Sequence, residues 1–322
     1  MNYRNLADLA ADLFLLGSRL PADLDLIVGV PRSGLLAAQI LALYRNLPLT
    51  DVEGLITGRV IESGPRGEAA LQRLAGRPRA KVLVLDDSLW SGGQLAGVRR
   101  RIGSADLSYQ VSYAAAYVIP GAESQVDFFC DVVSLPRVFE WNVLHHSALN
   151  SACVDLDGIL CRDPDPAEND DGPEYRRFLQ NVLPTMVPRE RIGAIVTARL
   201  EKYRPETEHW LERHGIRYNR LVMLSGVSAE ARAARRPHAA FKARYYRRHS
   251  EHDLFIESSL WQAKEILVRA GKPVLCWETR ELITDQQVPA PSSGRQTRFP
   301  FRRTLGRLLR ALRRRGAVGA AI

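Results

Sequence analysis

The sequence predicts an α/β protein with two parallel-sheet domains, and two stretches carry that expectation. Val82–Leu85 runs straight into Asp86 and Asp87 and then into Ser91-Gly92-Gly93. An apolar run of this length, closed by a turn signal, reads as a buried parallel strand with its acids at the carboxyl end. Ala152–Val154 runs in the same way into Asp155-Leu156-Asp157-Gly158. Open α/β sheets bind their ligands at the carboxyl ends of such strands. The chain has 322 residues and 46% hydrophobic content, enough for two ordinary cores. The expected boundaries are 1–148, 149–287 and a terminal segment over 288–322.

Composition narrows the function classes. The net charge of +9 calls for an anionic partner, which nucleic acid, a membrane surface or a phosphorylated substrate would each supply. Cys130, Cys153, Cys161 and Cys276 are scattered, without metal-ligand spacing, so neither a disulfide framework nor a zinc site is implied. A reducing cytoplasm is the expected home. The first residues lack a signal-peptide core, and no apolar run reaches the roughly 20 residues needed to span a bilayer.

In chain order, Leu6, Leu9, Leu13 and Leu16 predict an amphipathic helix over 3–19. Asp25–Val30 predicts a buried strand that enters the turn Pro31-Arg32-Ser33-Gly34, followed by a helix over Leu35–Tyr44. A strand, a tight turn and a helix form an anion cradle, here with Arg32 inside it. Residues 57–80 are rich in Gly, Arg and Glu with little periodicity and read as a surface loop and one solvated helix. After Ser91-Gly92-Gly93 come a basic helix (Leu95–Ile102) and strands at Val111–Val118 and Phe128–Val133. Pro136–Leu144 is aromatic-rich, and its aromatics suit either core packing or the wall of an acceptor pocket.

The stretch from Val82 to Gln94 resembles the signature of type I phosphoribosyltransferases: four apolar residues, two acids, then a run of mostly small residues. That resemblance implies a substrate, phosphoribosyl diphosphate (PRPP). Asp86 and Asp87 would meet the ribose hydroxyls, and Ser88, Ser91, Gly92, Gly93 and Gln94 would wrap the 5′-phosphate. Arg32 and Ser33 would hold the departing pyrophosphate, and the loop at 57–80 would be the family's mobile lid. Purine-type members place an aspartate in the phosphate loop where this chain has Trp90. A large aromatic there counts against the purine-type members only, and suits stacking against a sugar ring or walling off a different acceptor. Trp90 and Glu140 are therefore the acceptor-side candidates, with Glu140 and Asp87 as candidate bases for the acceptor hydroxyl.

In the second half, Asp155 and Asp157 lie two residues apart at a strand end. Paired carboxylates of this kind suit aspartyl-phosphate chemistry, although a bare DxDG also fits a calcium loop or a turn. Ala194–Arg199 predicts a strand carrying Thr197, Tyr203–His214 a helix closed at Gly215, and Asp253–Leu260 a strand ending in Glu257. Taken in order, these resemble the motifs of haloacid-dehalogenase (HAD) phosphatases. By that resemblance Asp155 is the nucleophile, Asp157 the general acid/base and Thr197 the phosphoryl-holding hydroxyl. Lys242 is the charge-neutralising lysine, and Asp155, Glu257 and the Asp157 carbonyl are the Mg²⁺ ligands. Ser258 and Ser259 stand where the family commonly has a further aspartate. The short interval between Asp157 and Thr197 leaves no room for a large cap.

Val288–Gly294 reads as a linker. Phe299–Arg315 follows with Leu305, Leu308, Leu309 and Leu312 on one helical face and seven arginines around it. Such a segment suits an anionic membrane surface; a nucleic-acid tail or a disordered end are the alternatives. The leucine stripe has no use on a phosphate backbone, so no nucleic acid is expected. Together the two halves resemble dual-domain bacterial ribofuranosyltransferases of surface polysaccharide synthesis. That implies transfer of phosphoribose from PRPP to a glycan, removal of the 5-phosphate, and Mg²⁺ at both sites, at the inner face of the cell membrane. The competing readings are a nucleobase phosphoribosyltransferase fused to a nucleotidase, and a PRPP-sensing regulator.

Overall fold

The computed structural model describes residues 1–61, 79–105, 107–225 and 238–285. The lid candidates between 62 and 78, the linker and the basic tail lie outside the described residues. Met1–Asp285 form one compact unit that holds both predicted sheets.

The first sheet has five parallel strands in the order β3-β2-β4-β5-β6: β2 (Leu26–Gly29), β3 (Leu49–Asp51), β4 (Lys81–Leu89), β5 (Gln110–Val118) and β6 (Phe128–Val132). Buried Val82–Leu85 gives β4 the unbroken apolar run that a sheet covered on both faces requires. Helices α1 (Leu6–Gly17), α2 (Ser33–Arg45), α3 (Val52–Thr57) and α4 (Gly93–Gly103) belong to the same half. Leu9, Leu13 and Leu16 of α1 are fully buried, as their spacing predicts, but Leu6 is 40% exposed. Leu6 opens the helix, where its N–H donates to Glu140 Oε2 at 2.8 Å while its side chain stays outside.

The expected first helix is preceded by a strand that the sequence does not announce. β1 (Asn2–Arg4) pairs in parallel with β7 (Arg137–Phe139), bringing the amino terminus to the junction between the halves. Val138, Val143, Leu144 and Leu149 then pack into the same apolar cluster as Leu156, Leu160, Trp210 and Leu254 of the second half.

The second sheet runs β10-β9-β8-β11-β12-β13. Its strands are β8 (Ala152–Val154), β9 (Ile192–Leu200), β10 (Tyr218–Leu224), β11 (Leu254–Glu257), β12 (Val274–Cys276) and β13 (Glu281–Ile283). All pair in parallel except β13, which runs antiparallel to β12. Between β8 and β9 lies one nine-residue helix, α5 (Pro173–Asn181), so the insertion is small, as the short interval predicts. Helices α6 (Arg204–Arg213), α7 (His238–Arg248) and α8 (Leu260–Ala270) complete this half. Gly215 follows α6 at φ +66°, the left-handed turn that ends a helix most cheaply with glycine. Strand order reverses between β2 and β4 in one sheet and between β8 and β11 in the other, and both acid pairs sit at those switch points.

Two candidate sites at the switch points

In the first sheet, Gly29 of β2 lies opposite Leu85 of β4, so the turn after β2 emerges beside Asp86 and Asp87. The approach is close: a Cβ on Gly34 would stand 2.8 Å from Asp86 Oδ1 and 2.9 Å from the Leu85 carbonyl oxygen. Glycine is therefore needed where α2 presses against the acids. Ser33 Oγ donates to Asp87 Oδ1 at 2.8 Å, and the Asp87 N–H donates to Asp86 Oδ1 at 2.9 Å. Both carboxylates are buried. Burial, followed by the charge of Asp87, pushes the Asp86 carboxyl up to about 8.

Two helices begin at this edge, and neither is closed by its own side chains. α2 starts at Arg32 and α4 at Gly92, each without a side-chain cap and without an acid in its first turn. By contrast, α1 is closed by a reciprocal pair between Asn5 and Asp8, and α3 by Asp51. Each turn thus offers free N–H groups and a helix dipole beside the acids, an arrangement that favours an anion at each. Gln94 Nε2 donates to the Pro31 carbonyl at 3.2 Å and ties the two turns together.

Expected positions shift in detail. β4 continues through Leu89, so Ser88 is a strand residue opposite Tyr117 and not part of the loop. The Leu89 carbonyl accepts from Arg137 Nη2 at 2.9 Å, which holds the strand extended past the acids. The turn is Trp90–Gly92, with Gly92 at φ +74° and Trp90 61% exposed. Arg32, Ser91, Gly93 and Gln94 are all solvent-facing around it. Glu140 does not join the acids: it binds the Leu6 N–H and pairs with Arg280 at 3.8 Å, in the junction between the halves.

Its neighbour Trp141 reaches the site instead, donating Nε1–H to Asp87 Oδ2 at 2.7 Å. Trp141 stacks on Phe139 with centroids 4.8 Å apart, and Phe139 stacks on Tyr117 at 5.3 Å. Arg137 is buried near Asp87; burial lowers its pKa, with Asp87 opposing that shift. Nothing in the sequence singles out Arg137, whereas the aromatic run around Trp141 does mark a packed segment.

In the second sheet, β8 lies between β9 and β11, which places Asp155, Thr197 and Glu257 side by side at the carboxyl edge. Lys242 of α7 is buried between the acids. Its Nζ donates to Asp155 Oδ2 at 2.7 Å, Glu257 Oε2 at 2.9 Å and Gln262 Oε1 at 3.2 Å. Burial works against this ammonium, but Asp155 and Glu257 outweigh it and raise its pKa. Burial likewise pushes the Asp155 carboxyl up, with Lys242 opposing and Glu257 adding to the shift. Ser258 Oγ donates toward both Asp155 Oδ2 and Glu257 Oε1, at 3.3 and 3.2 Å.

Asp157 is held differently. Its carboxylate accepts from Arg199 Nη2 at 2.6 Å and Nε at 3.0 Å, with the guanidinium fully buried. Cys161 Sγ lies 3.4 Å from the same carboxylate. Thr197 Oγ1 accepts from the Arg199 N–H at 3.2 Å. Sequence reasoning stopped at Thr197; its signal was an arginine two positions further along the same strand.

The expected metal set is therefore gathered only in part. Asp155, Glu257 and the Ser258 hydroxyl offer hard oxygen donors of the type Mg²⁺ takes, and two carboxylates against one ammonium leave a negative excess when ionised. The Asp157 carboxylate is engaged by Arg199, which leaves its backbone carbonyl as the expected donor, and the described residues contain no cluster of three or more His, Cys, Asp or Glu arranged to hold a metal.

No family model and no curated protein matches the sequence. Among solved structures, the chain is similar to a Helicobacter pylori xanthine-guanine-hypoxanthine phosphoribosyltransferase: 16% identity, 44% of this chain against 93% of that one, TM-score 0.33. A purine phosphoribosyltransferase from Pyrococcus horikoshii gives 20% identity over 44% of this chain and 92% of that one, also at 0.33. A hypothetical protein from Neisseria gonorrhoeae with bound ppGpp gives 12% identity over 44% and 90%, at 0.32. These likenesses cover less than half of the chain, and the reading of its sites rests on the chain's own geometry.

Proposed function

We propose that this chain is a bifunctional ribofuranosyltransferase with a phosphoribosyltransferase half and a HAD-type phosphatase half. It transfers 5-phosphoribose from PRPP to a hydroxyl of a glycan, releasing pyrophosphate. It then hydrolyses the 5-phosphate, so that PRPP, acceptor and water yield a β-ribofuranoside, pyrophosphate and phosphate. The setting is surface polysaccharide synthesis of O-antigen or capsule type, on a lipid-linked or oligosaccharide acceptor. The enzyme works at the inner face of the cell membrane, with the basic tail against anionic lipid.

One observation carries the first step: two uncapped helix starts face a buried acid pair at a switch point. PRPP presents two separate anions flanking a diol, and the site offers two anion cradles flanking carboxylates. The turn at Arg32 and Ser33 takes the pyrophosphate, the turn at Ser91–Gln94 takes the 5′-phosphate, and Asp86 and Asp87 face the hydroxyls. Exposed Trp90 then walls the acceptor side.

In the second step, Asp155 attacks phosphorus, and the sugar oxygen leaves with a proton from Asp157. Water then cleaves the aspartyl phosphate. Thr197 and Lys242 hold phosphoryl oxygens as charge develops. For Asp157 to deliver its proton, the clasp with Arg199 opens as substrate enters. Asp155, Glu257 and the Asp157 carbonyl would hold Mg²⁺, which when bound supplies positive charge to the phosphoryl group. The single small helix between β8 and β9 leaves an open rim that suits a bulky substrate.

The test is incubation with PRPP and Mg²⁺, offering glycan acceptors and nucleobases in parallel, read by mass spectrometry. The expected result is a phosphopentose on a glycan, followed by loss of phosphate; nucleotide formation would overturn the reading. Asp86→Ala with Asp87→Ala should abolish transfer. Asp155→Asn should stall the product with its 5-phosphate attached.

A further inference from the structure

The loop between α5 and β9 puts apolar side chains into solvent. Leu183 is 77% exposed, Val187 41% and Met186 36%, all within five residues. Isolated exposed apolar residues are ordinary, but a cluster on one short loop is not. The loop is pinned so that these side chains cannot turn inward. Val182 is buried, and its carbonyl accepts from Trp210 Nε1 at 2.7 Å. The Thr185 N–H donates to the Leu160 carbonyl at 2.8 Å, and Pro184 bridges to Cys161. Pro188 is buried, and the Arg189 N–H donates to His145 Nδ1 at 3.3 Å.

Around this tip stand four exposed arginines, Arg189, Arg191, Arg213 and Arg217. Arg191, itself of the loop, donates to the Tyr218 carbonyl of β10 at 3.1 Å, while Arg217 donates to the Arg189 carbonyl and Arg213 to that of Gln180 in α5 at 3.4 Å. Arg189 is part of the loop and supplies the carbonyl that Arg217 holds. None of the four forms an ion pair with a carboxylate among the described residues. The loop's own acid, Glu190, is half-buried and acts on His146.

We propose that this loop is a membrane-contact surface, in which Leu183, Met186 and Val187 enter the interface of an anionic bilayer and the four arginines meet its headgroups. An apolar tip within a basic collar matches such an interface in both layers: hydrocarbon below, negative charge above. A protein partner would need acids spaced to each arginine, whereas a lipid surface supplies diffuse negative charge to all of them. The loop is also bonded to Leu160 and Cys161, shortly after the carboxylates of the second site. Seating it on a membrane would hold that site near a lipid-borne substrate. The inference is separate from the ribosyl-transfer reading, because vesicle binding is measured without substrate.

The test uses the full chain with Met186→Cys carrying an environment-sensitive dye; the native cysteines are buried or half-buried. Val268→Cys, on the 66% exposed position of α8, is the control. Vesicles mixing phosphatidylglycerol and phosphatidylcholine should blue-shift the dye at 186, and brominated acyl chains should quench it, with neither effect at 268. Leu183→Asp with Val187→Asp should weaken vesicle affinity by about tenfold. Equal or absent responses at both positions would overturn the proposal. So would unchanged affinity of the aspartate variant, which would leave binding to the tail, or concentration-dependent shielding of the dye without vesicles, which would mean self-association.

Discussion

The two acid clusters occupy matching places in their sheets but are held by opposite means. Asp86 and Asp87 accept hydrogen bonds from neutral donors, a serine hydroxyl, an indole N–H and a backbone N–H, while the buried Arg137 charge acts on Asp87 without a hydrogen bond. Asp155 and Glu257 are buried against the full positive charge of Lys242, and partly exposed Asp157 is clasped by that of Arg199. Neutral donors orient a carboxylate without cancelling it, so the first pair keeps an electrostatic demand that burial sharpens, and Asp86 answers by holding its proton. In the second cluster the cations fix where each carboxylate points, although burial still pushes the Asp155 carboxyl up as it does that of Asp86. The first site is built to receive charge and hydroxyls from a ligand, whereas the second is preorganised around its own ions.

This contrast can be broken from either side. Lys242→Met should have the largest effect. Removing the ammonium leaves Asp155 and Glu257 facing each other unpaired in the interior, an expected loss of about 3–5 kcal/mol in urea unfolding, with phosphate release abolished. A loss below about 1 kcal/mol would mean that the cluster is not organised by its lysine.

Asp86→Asn tests the other side through pH. The folded carboxyl sits near 8, above its ordinary value of 3.8, so the folded state binds the proton more tightly. Its contribution to stability is full below pH 3.8 and is lost as pH rises through 8. The asparagine variant should therefore match the parent in melting temperature near pH 4 and exceed it by about 5–8 °C near pH 9, while losing transfer. A pH-independent difference would remove the unmet demand from the comparison. Trp141→Phe should have the smallest effect. It keeps the stack on Phe139 and deletes one hydrogen bond to a carboxylate, costing about 1–2 kcal/mol. Weaker PRPP binding in a titration, with the fold intact by circular dichroism, is the accompanying readout.

How much of this was legible in the sequence depends on the range of the contact. Val82–Asp87 and Ala152–Asp157 announce buried strands with acidic ends because apolar runs and carboxylates are local features. The spacing of Leu9, Leu13 and Leu16 gave the buried face of α1 for the same reason. Lys242 was assigned from its order among motifs, and the structure does place it between Asp155 and Glu257. What was hidden is long-range. β1 is too short to show a pattern, and its partner lies more than a hundred residues away. The clasp of Arg199 on Asp157 and the reach of Trp141 to Asp87 exist only once strands are stacked in order. Ser88 was misplaced because a strand's end is set by its neighbours, here Tyr117 and Arg137, and not by its own composition.

The pairing of β1 with β7 bears on how such a gene could be taken apart. An intergenic break placed near residue 148 would leave Val138, Val143 and Leu144 on one polypeptide and the cluster they fill on another. The Glu140–Arg280 pair and the Asn5–Arg280 hydrogen bond would be parted in the same stroke. Fission products would have to find each other as subunits before either was properly covered. The halves therefore share one apolar cluster, and neither would be fully covered without the other.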